Sequence, residues 1–152
     1  MKQLIQTFYE GLQEQNAKKM ISCYHKDIVF EDPAFGKLYS DRACDMWRML
    51  CSNKKKMKIE FSDIKATSEN GSAHWEAWYT FSQTGRPVHN IIDASFEFKD
   101  GKISTHIDHF DLHAWASQAM GWKGKLFGGT SFFRKKLQKQ TNILLDTFQN
   151  QS

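Results

Sequence analysis

The stretch SFEFKDGKISTHIDHFDLHAW, residues 95–115, decides the fold that the sequence predicts. Apolar and polar side chains alternate on both sides of KDGK, and such alternation is typical of half-buried β-strands. Asp-Gly favours a two-residue hairpin turn, because both of its residues accept a positive φ. The stretch therefore predicts two antiparallel strands joined by a tight turn and followed by a helix.

Two more segments upstream of this hairpin repeat the alternation. They are MKIEFSDIKAT (57–67) and AHWEAWYTF (73–81), and HNII extends the first strand of the hairpin back to residue 89. The sequences ENG and QTGRP lie between the segments and are turn signals. Residues 57–111 therefore predict four antiparallel strands joined by short turns.

Both ends of the chain show helical spacing instead. Apolar residues recur every three or four positions in residues 4–12, after Asn16, and in the stretch that follows Ser40. Asn16 and Ser40 are good candidates for N-caps, because their side chains accept hydrogen bonds from free backbone N–H groups. Between these helices DIVFED predicts one short strand, which Pro33 terminates.

The C-terminal part predicts two more helices. LHAWASQAMG ends at Gly121, a residue type common just past a helix, and FFRKKLQKQTNILLDTF is amphipathic. The sequence thus predicts an α+β fold in which N-terminal helices pack on a curved, mostly antiparallel sheet. We expect one domain in residues 1–121 and a basic extension in 122–152. The helix of that extension is expected to pack on the same domain or on a partner.

The net charge of +4 is unevenly distributed over the 152 residues. No Asp or Glu occurs from residue 112 to 145, and this segment carries six cations: Lys123, Lys125, Arg134, Lys135, Lys136 and Lys139. This pattern fits either a solvated helix face or a weak contact with an anionic surface. No RNA-binding signature accompanies it, so we expect no nucleic-acid partner.

The sequence also predicts where the protein resides. No window resembles a membrane span or a signal peptide. Three cysteines, Cys23, Cys44 and Cys51, show no CxxC spacing and are expected to be free thiols in a reducing cytoplasm. Because no histidine spacing fits a zinc site, we expect neither a metal nor a cofactor.

Several polar residues stand at positions where a buried side chain is costly unless it is protonated or paired. Asp32 precedes Pro33 at the end of the first strand, and Asp93 interrupts the apolar run NIIDASF. His106, Asp108 and Phe110 share one face of the last strand. Other roles remain open: Asp32 as a turn former, Asp93 as a structural or edge acid, and His106 with Asp108 as a solvated patch.

The helix pair, CYHKDIVFEDPAFG (23–36) and the stretch at 95–115 together resemble one superfamily. It contains nuclear transport factor 2, ketosteroid isomerase, limonene epoxide hydrolase and the SnoaL-type polyketide cyclases. The resemblance covers residues 4 to 121. It implies a cone, in which helices close a strongly bent sheet around a deep pocket, and a homodimer.

The resemblance also implies roles for single residues. In ketosteroid isomerases the acid of EDP is the base, so Asp32 takes that role, Tyr24 supports the oxyanion site and Asp93 donates to it. Phe8 stands where the principal oxyanion tyrosine would be, and the adjacent Tyr9 is expected to point elsewhere. The epoxide hydrolases share the aspartate at Asp108, but their Arg-x-Asp pair falls on Trp75 and Ala77. The cyclases share a histidine near His106.

An apolar pocket would give these acids their chemistry. Its expected ligand-binding residues are Phe8, Phe35, Trp75, Tyr79 and Phe110. Burial raises the pKa of a carboxyl group, so one acid would be ionised and another neutral. Asp32 would take a proton next to a carbonyl, Asp93 or Asp108 would donate one, and His106 would set the protonation of Asp108.

A binding module without catalysis is the alternative. The polar outer face at 74, 76, 78 and 80 includes a tryptophan and indicates a dimer or partner surface.

Overall fold

The computed structural model describes residues 1–152, which form six helices and six strands. The helices are α1 (Lys2–Gln13), α2 (Ala17–Ile21), α3 (Asp41–Cys51), α4 (Leu112–Met120), α5 (Trp122–Phe127) and α6 (Ser131–Asn150). The strands are β1 (Tyr24–Asp32), β2 (Gly36–Tyr39), β3 (Met57–Ala66), β4 (Asn70–Phe81), β5 (Arg86–Lys99) and β6 (Lys102–His109).

One curved sheet contains all six strands in the order β2-β1-β6-β5-β4-β3. Every neighbouring pair is antiparallel except β1 and β6, which run parallel. The predicted hairpin is present: β5 and β6 meet at Asp100 and Gly101, which have φ of +52° and +73°. Both values lie in the region that Asp-Gly favours. The α+β fold with an unclosed, curved sheet is confirmed.

The core lies between the N-terminal helices and the inner face of the sheet. Helix α1 buries Ile5, Phe8, Tyr9 and Leu12, which recur at helical spacing and therefore share one side of the helix. Strand β1 contributes Ile28 and Phe30 to the same cluster.

Two elements differ from the sequence prediction. Strand β2 has only four residues, too few for a period of two to be recognised, and it pairs with β1 across the turn at Pro33. The sequence GWKGKLFGG (121–129) predicts a glycine-rich link, but Trp122–Phe127 form helix α5. Gly124 lies where α5 meets Ala116 of α4, and a side chain there would collide with the Ala116 carbonyl, so this glycine allows the two helices to pack closely.

The two predicted N-caps also have different outcomes. The side chain of Asn16 accepts a hydrogen bond from the Lys19 N–H at 3.1 Å, so that cap is confirmed. Ser40 immediately precedes α3, but its side chain makes no capping bond and its φ is +49°. Its backbone N–H instead donates to Ile28 O at 2.8 Å, so Ser40 closes the strand-to-helix turn through its main chain.

Helix α6 packs on the body of the same chain. Leu145 is fully buried in the main core, and Phe133 and Leu137 pack on a second cluster around Val88 and Trp115. None of the helices, α6 included, is both long and apolar enough to cross a bilayer. The division of the chain at residue 121 stays a prediction.

Candidate functional site

The parallel pairing of β1 and β6 brings most of the predicted polar residues together. Phe30 of β1 pairs with His106 of β6, so Asp32, two residues further on, faces the same interior as Asp108. His106 is fully buried and Asp108 is 4% exposed. The reading of these two as a solvated patch is therefore excluded.

A continuous hydrogen-bond network connects them. Tyr24 Oη lies 2.7 Å from His106 Nδ1, and His106 Nε2 lies 3.0 Å from Asp108 Oδ1. Trp47 Nε1 donates to Tyr24 Oη at 2.9 Å, and Trp75 Nε1 donates to Asp108 Oδ1 at 3.2 Å. Every donor has an acceptor when Tyr24 donates to Nδ1 and the imidazole donates from Nε2 to Asp108. Both bonds to Asp108 end on Oδ1, which leaves Oδ2 for another partner.

Aromatic rings hold the imidazole of His106 in place. The ring centroids of Phe8, Phe30 and Phe96 lie 5.2, 5.1 and 4.6 Å from it. The indole of Trp47 stacks on it with centroids 6.3 Å apart. Phe8, which is expected to bind ligand, is fully buried and packs against the imidazole of His106. The network is rigid because each ring limits the rotation of the next.

Asp32 forms a turn with one oxygen and leaves the other free. Its Oδ1 accepts the backbone N–H groups of Ala34 and Phe35 at 2.9 and 2.6 Å. Burial raises the pKa of Asp32 to about 7, the two backbone bonds lower it, and the charge of Asp108 raises it. The side chain remains partly exposed. Asp32 is therefore both a turn former and a titratable group near neutral pH.

Tyr9 is a buried polar residue, whereas the resemblance implies that it points elsewhere on α1. Its ring stacks on Phe61 and lies 5.9 Å from Trp75, and its hydroxyl is buried with no hydrogen-bond partner. Burial raises the pKa of Tyr9, and the nearby Asp108 and Tyr24 raise it further. The spacing of Ile5, Phe8, Tyr9 and Leu12 on α1 was the available signal, since it places both aromatic rings inward.

Asp93 does not join this group, and its predicted place in the pocket is wrong. Its side chain is 78% exposed on the outer face, where Oδ1 lies 2.8 Å from His74 Nδ1. The inward residues of β5 are Ile92, Ala94 and Phe96, so Asp93 falls on the other side of the strand. The acid is tolerated because solvent and His74 surround it.

The outer face around Asp93 carries a ladder of acids and histidines. His74 Nε2 lies 3.0 Å from Glu76 Oε1, and His89 Nε2 lies 2.6 Å from Glu76 Oε2. Hydrogen bonds to Glu76 and Asp93 raise the pKa of His74, and the bonds from His74 and His89 lower the pKa of Glu76. We call this group the outer ladder.

The remaining predicted ligand-binding residues divide into two places. Trp75 and Tyr79 lie on the inner face with Asp32 and Asp108. Trp75 donates a hydrogen bond to Asp108. Burial raises the pKa of Tyr79, and the nearby charge of Asp32 raises it further. Phe35 follows the turn of Asp32. Phe110 lies just beyond β6, which ends at His109, and packs on the second cluster, on which Tyr79 also packs.

Two surface clefts lie away from these acids. One, of about 400 Å³, runs from Phe110 to the start of α6, and the other, of about 210 Å³, runs along β5 and β6. An apolar pocket at Asp32 and Asp108 stays a prediction.

The comparisons with known proteins identify the family of the chain. A profile of the SnoaL-like domain matches residues 5–106, more than half of the chain and including Asp32, Tyr24 and His106. The chain belongs to the SnoaL-like domain family. The comparison with curated protein sequences found no match.

Solved structures similar to this SnoaL-like protein share its fold. An LEH-like epoxide hydrolase from M. tuberculosis is 19% identical, with a TM-score of 0.62 over 83% of this chain and 89% of that one. A provisionally assigned polyketide cyclase from Xanthomonas campestris pv. campestris is 17% identical, with a TM-score of 0.60 over 76% and 93%. TerC, co-crystallised with polyporic acid, is 15% identical, with a TM-score of 0.65 over 76% and 95%. These neighbours support the NTF2-like cone that the sequence resembles.

Proposed function

We propose that this SnoaL-like protein binds a small hydrophobic carbonyl compound in the cytoplasm and moves a proton next to the carbonyl. The observation that carries the proposal is Asp32. Its pKa of about 7 means that both protonation states are populated near neutral pH, as a general base requires. Three buried free thiols support the proposed cytoplasmic location.

The hydrogen bonds of Asp32 fix the orientation of its carboxyl group and leave one oxygen free. Two backbone N–H groups fix Oδ1, so Oδ2 has one orientation and no competing partner among the protein groups. In the proposed step Oδ2 removes a proton from the carbon next to the carbonyl. The electron pair of that C–H bond moves into the carbonyl, which becomes an enolate, and Asp32 then returns the proton to the same or a conjugated carbon.

The developing negative charge needs a donor, and Tyr9 supplies a free one. Its buried O–H has no partner, which costs about 1–3 kcal/mol and is relieved when a ligand oxygen accepts it. Tyr9 would thus donate the hydrogen bond to the oxyanion that Phe8, which has no hydroxyl, cannot donate. Tyr24 is less suited because its O–H is committed to His106.

The Tyr24–His106–Asp108 network has a second task in this proposal. It holds the charge of Asp108 beside Asp32, and that charge contributes to the raised pKa of Asp32. Asp108 is therefore proposed as a positioning and tuning residue, with Oδ2 open to a ligand hydroxyl. His106 orients it from within the core.

Epoxide hydrolysis is less well supported. The Arg-x-Asp positions of that mechanism are Trp75 and Ala77, and neither can bear a charge. A binding module remains the second candidate, because aromatic rings already fill the space around His106. TerC, a protein of the same fold, was crystallised with polyporic acid, so polyporic acid is one compound to test in either role.

Deuterium exchange tests the catalytic proposal. The protein is incubated in D₂O with a panel of hydrophobic cyclic ketones and β,γ-enones, and deuterium uptake is followed by NMR. We expect exchange that rises with pH to a plateau above about 7, since the ionised form of Asp32 is the active one. Asp32→Asn should abolish it, and Tyr9→Phe should slow it about 100-fold.

Asp93→Asn is the matched control, because it removes the same charge from the outer face. If no compound exchanges although several raise the melting temperature, a binding role replaces catalysis. Equal losses in both Asp variants would also remove Asp32 from the mechanism.

A further inference from the structure

Helix α5 and the first turn of α6 expose four large apolar side chains. Trp122, Leu126, Phe127 and Phe132 are 67%, 64%, 56% and 74% exposed. They lie within eleven residues, and Trp122 and Leu126 are one turn apart on the same side of α5. Exposed apolar groups concentrated in this way mark an interaction surface rather than scattered surface residues.

The packing of α5 explains why these side chains face outward. Gly124 and Gly128 both press against Ala116 of α4, and neither leaves room for a Cβ without displacing its neighbours. His113 Nε2 lies 2.7 Å from the Lys125 carbonyl and holds the same helix. Because the inner side of α5 consists of glycine, its large side chains are all on the solvent side.

The cations of this region are exposed and unpaired. Six of them lie in residues 122–139, and none forms a salt bridge. On α6 the residues Phe132, Lys136 and Lys139 follow at intervals of four and three, so they form one outward row. We call the apolar and cationic residues together the basic-aromatic surface: Trp122, Lys123, Lys125, Leu126, Phe127, Phe132, Arg134, Lys135, Lys136 and Lys139.

We propose that the basic-aromatic surface docks the protein on an anionic lipid surface. The four apolar side chains would enter the boundary between headgroups and acyl chains, and the six cations would lie at the level of the negative headgroups. Lysine and arginine suit this position because their apolar stems follow the lipid while their charges stay in water. The protein lies on such a surface and does not span it.

The charge pattern favours lipid over a second copy of the chain. A two-fold contact through this surface would place six unpaired cations against six others, with no acid between residues 112 and 145 to offset them. An anionic bilayer has no such repulsion and would attract these cations instead. This inference is independent of the proposed chemistry at Asp32.

Vesicle binding by the full chain tests the proposal. Vesicles of 70% phosphatidylcholine and 30% phosphatidylserine are compared with pure phosphatidylcholine by co-sedimentation. We expect binding to the anionic vesicles only, weakened by salt. The triple variant Lys123→Gln/Lys125→Gln/Lys136→Gln should lower the partition coefficient about 100-fold, and Phe132→Ser should lower it about tenfold.

The chain offers a matched control for charge. Lys54→Gln/Lys55→Gln/Lys56→Gln removes three exposed, unpaired cations from the loop before β3 and should leave vesicle binding within about twofold. Equal losses in both triple variants would overturn the proposal, because net charge alone would then explain binding. The proposal would also fail if the folded protein, with an unchanged melting temperature, does not bind anionic vesicles. It would fail equally if Phe132→Ser abolishes a concentration-dependent dimer, because the surface would then contact a second copy of the chain.

Discussion

Asp32 performs two tasks with its two oxygens. Oδ1 is fixed by backbone N–H groups and closes the turn between β1 and β2, whereas Oδ2 has no protein partner. The bonds to Oδ1 explain why the sequence pattern is typical of a simple turn. The free Oδ2 explains why the same residue is available for the proposed proton transfer. A single carboxylate thus links the local fold to the candidate site.

The raised pKa of Asp32 has a consequence for stability. The folded protein holds this proton up to a pH of about 7, while the unfolded chain releases it near the ordinary value of 3.8. Stability therefore falls as pH rises through this window and is lowest above 7. We expect Asp32→Asn to stabilise the protein at pH 8, by as much as about 4 kcal/mol, and to have little effect near pH 4.

Urea unfolding at pH 4.5, 6 and 8 measures the difference. The control Asp27→Asn, outside the outer ladder, should change stability by less than about 1 kcal/mol at each pH, since its side chain is 65% exposed. A pH-independent effect of Asp32→Asn would show that burial does not raise its pKa.

The period of two predicts that His106 and Asp108 share one face of the last strand, and both side chains are buried there. The places of Asp32 and Asp93 are instead implied by the resemblance, and Asp93 lies on the outer face. Alternation could not decide the face of Asp93, because Ile91 and Ile92, on opposite faces of the strand, are both apolar. The partners of His106 were not predictable, since Trp47 and Tyr24 reach it from separate elements. Such contacts depend on tertiary packing alone.

At the scale of elements, α6 is bound to the turn that carries Asp32. Its side chains donate to three consecutive carbonyls of that turn: Gln138 to Pro33, Thr141 to Ala34 and Asn142 to Phe35, at 3.2, 2.9 and 2.9 Å. Arg42 of α3 also pairs with Asp146 at 2.7 Å. The C-terminal helix therefore supports the site from outside.

Leu145 is the apolar anchor of that helix. It is fully buried, whereas the adjacent Leu144 is 55% exposed, so the two form a matched pair. We expect Leu145→Ala to lower the free energy of unfolding by about 2–5 kcal/mol and Leu144→Ala by less than about 0.5 kcal/mol. Equilibrium unfolding in urea measures both, and similar small losses would mean that α6 is not docked in solution.

The sequence predicted long elements better than short ones. β3 to β6 and α6 repeat their period often enough to be recognised, and all were found. β2 and α5 contain four and six residues, and glycine at position 124 read as a flexible link. Close packing on Ala116 overrides the low helix propensity of that glycine.

At the scale of the whole molecule, three surfaces are separate: the inner site, the outer ladder and the basic-aromatic surface. We propose that the outer ladder mediates a homodimer. Ile91 is 52% exposed beside Glu76, and the ladder offers both hydrogen-bond donors and acceptors to a two-fold copy of itself.

Sedimentation velocity tests this assembly. Ile91→Lys should convert a dimer to a monomer, and Leu144→Lys, which adds the same charge to an equally exposed site on α6, should not. A wild-type chain that sediments as a monomer at every concentration would contradict the proposal.

The parallel pairing of β1 with β6 sets the order in which the molecule can assemble. The bond between Tyr24 and His106 joins residues 82 positions apart, whereas β3 to β6 are linked by short local turns. Closing so long a loop has a high entropic cost, so the local strands form first and β1 joins them late. A newly made chain would therefore form its hairpins before the candidate site. Binding of the proposed ligand would report completed folding, because only the complete sheet holds Asp32 on the same face as Asp108.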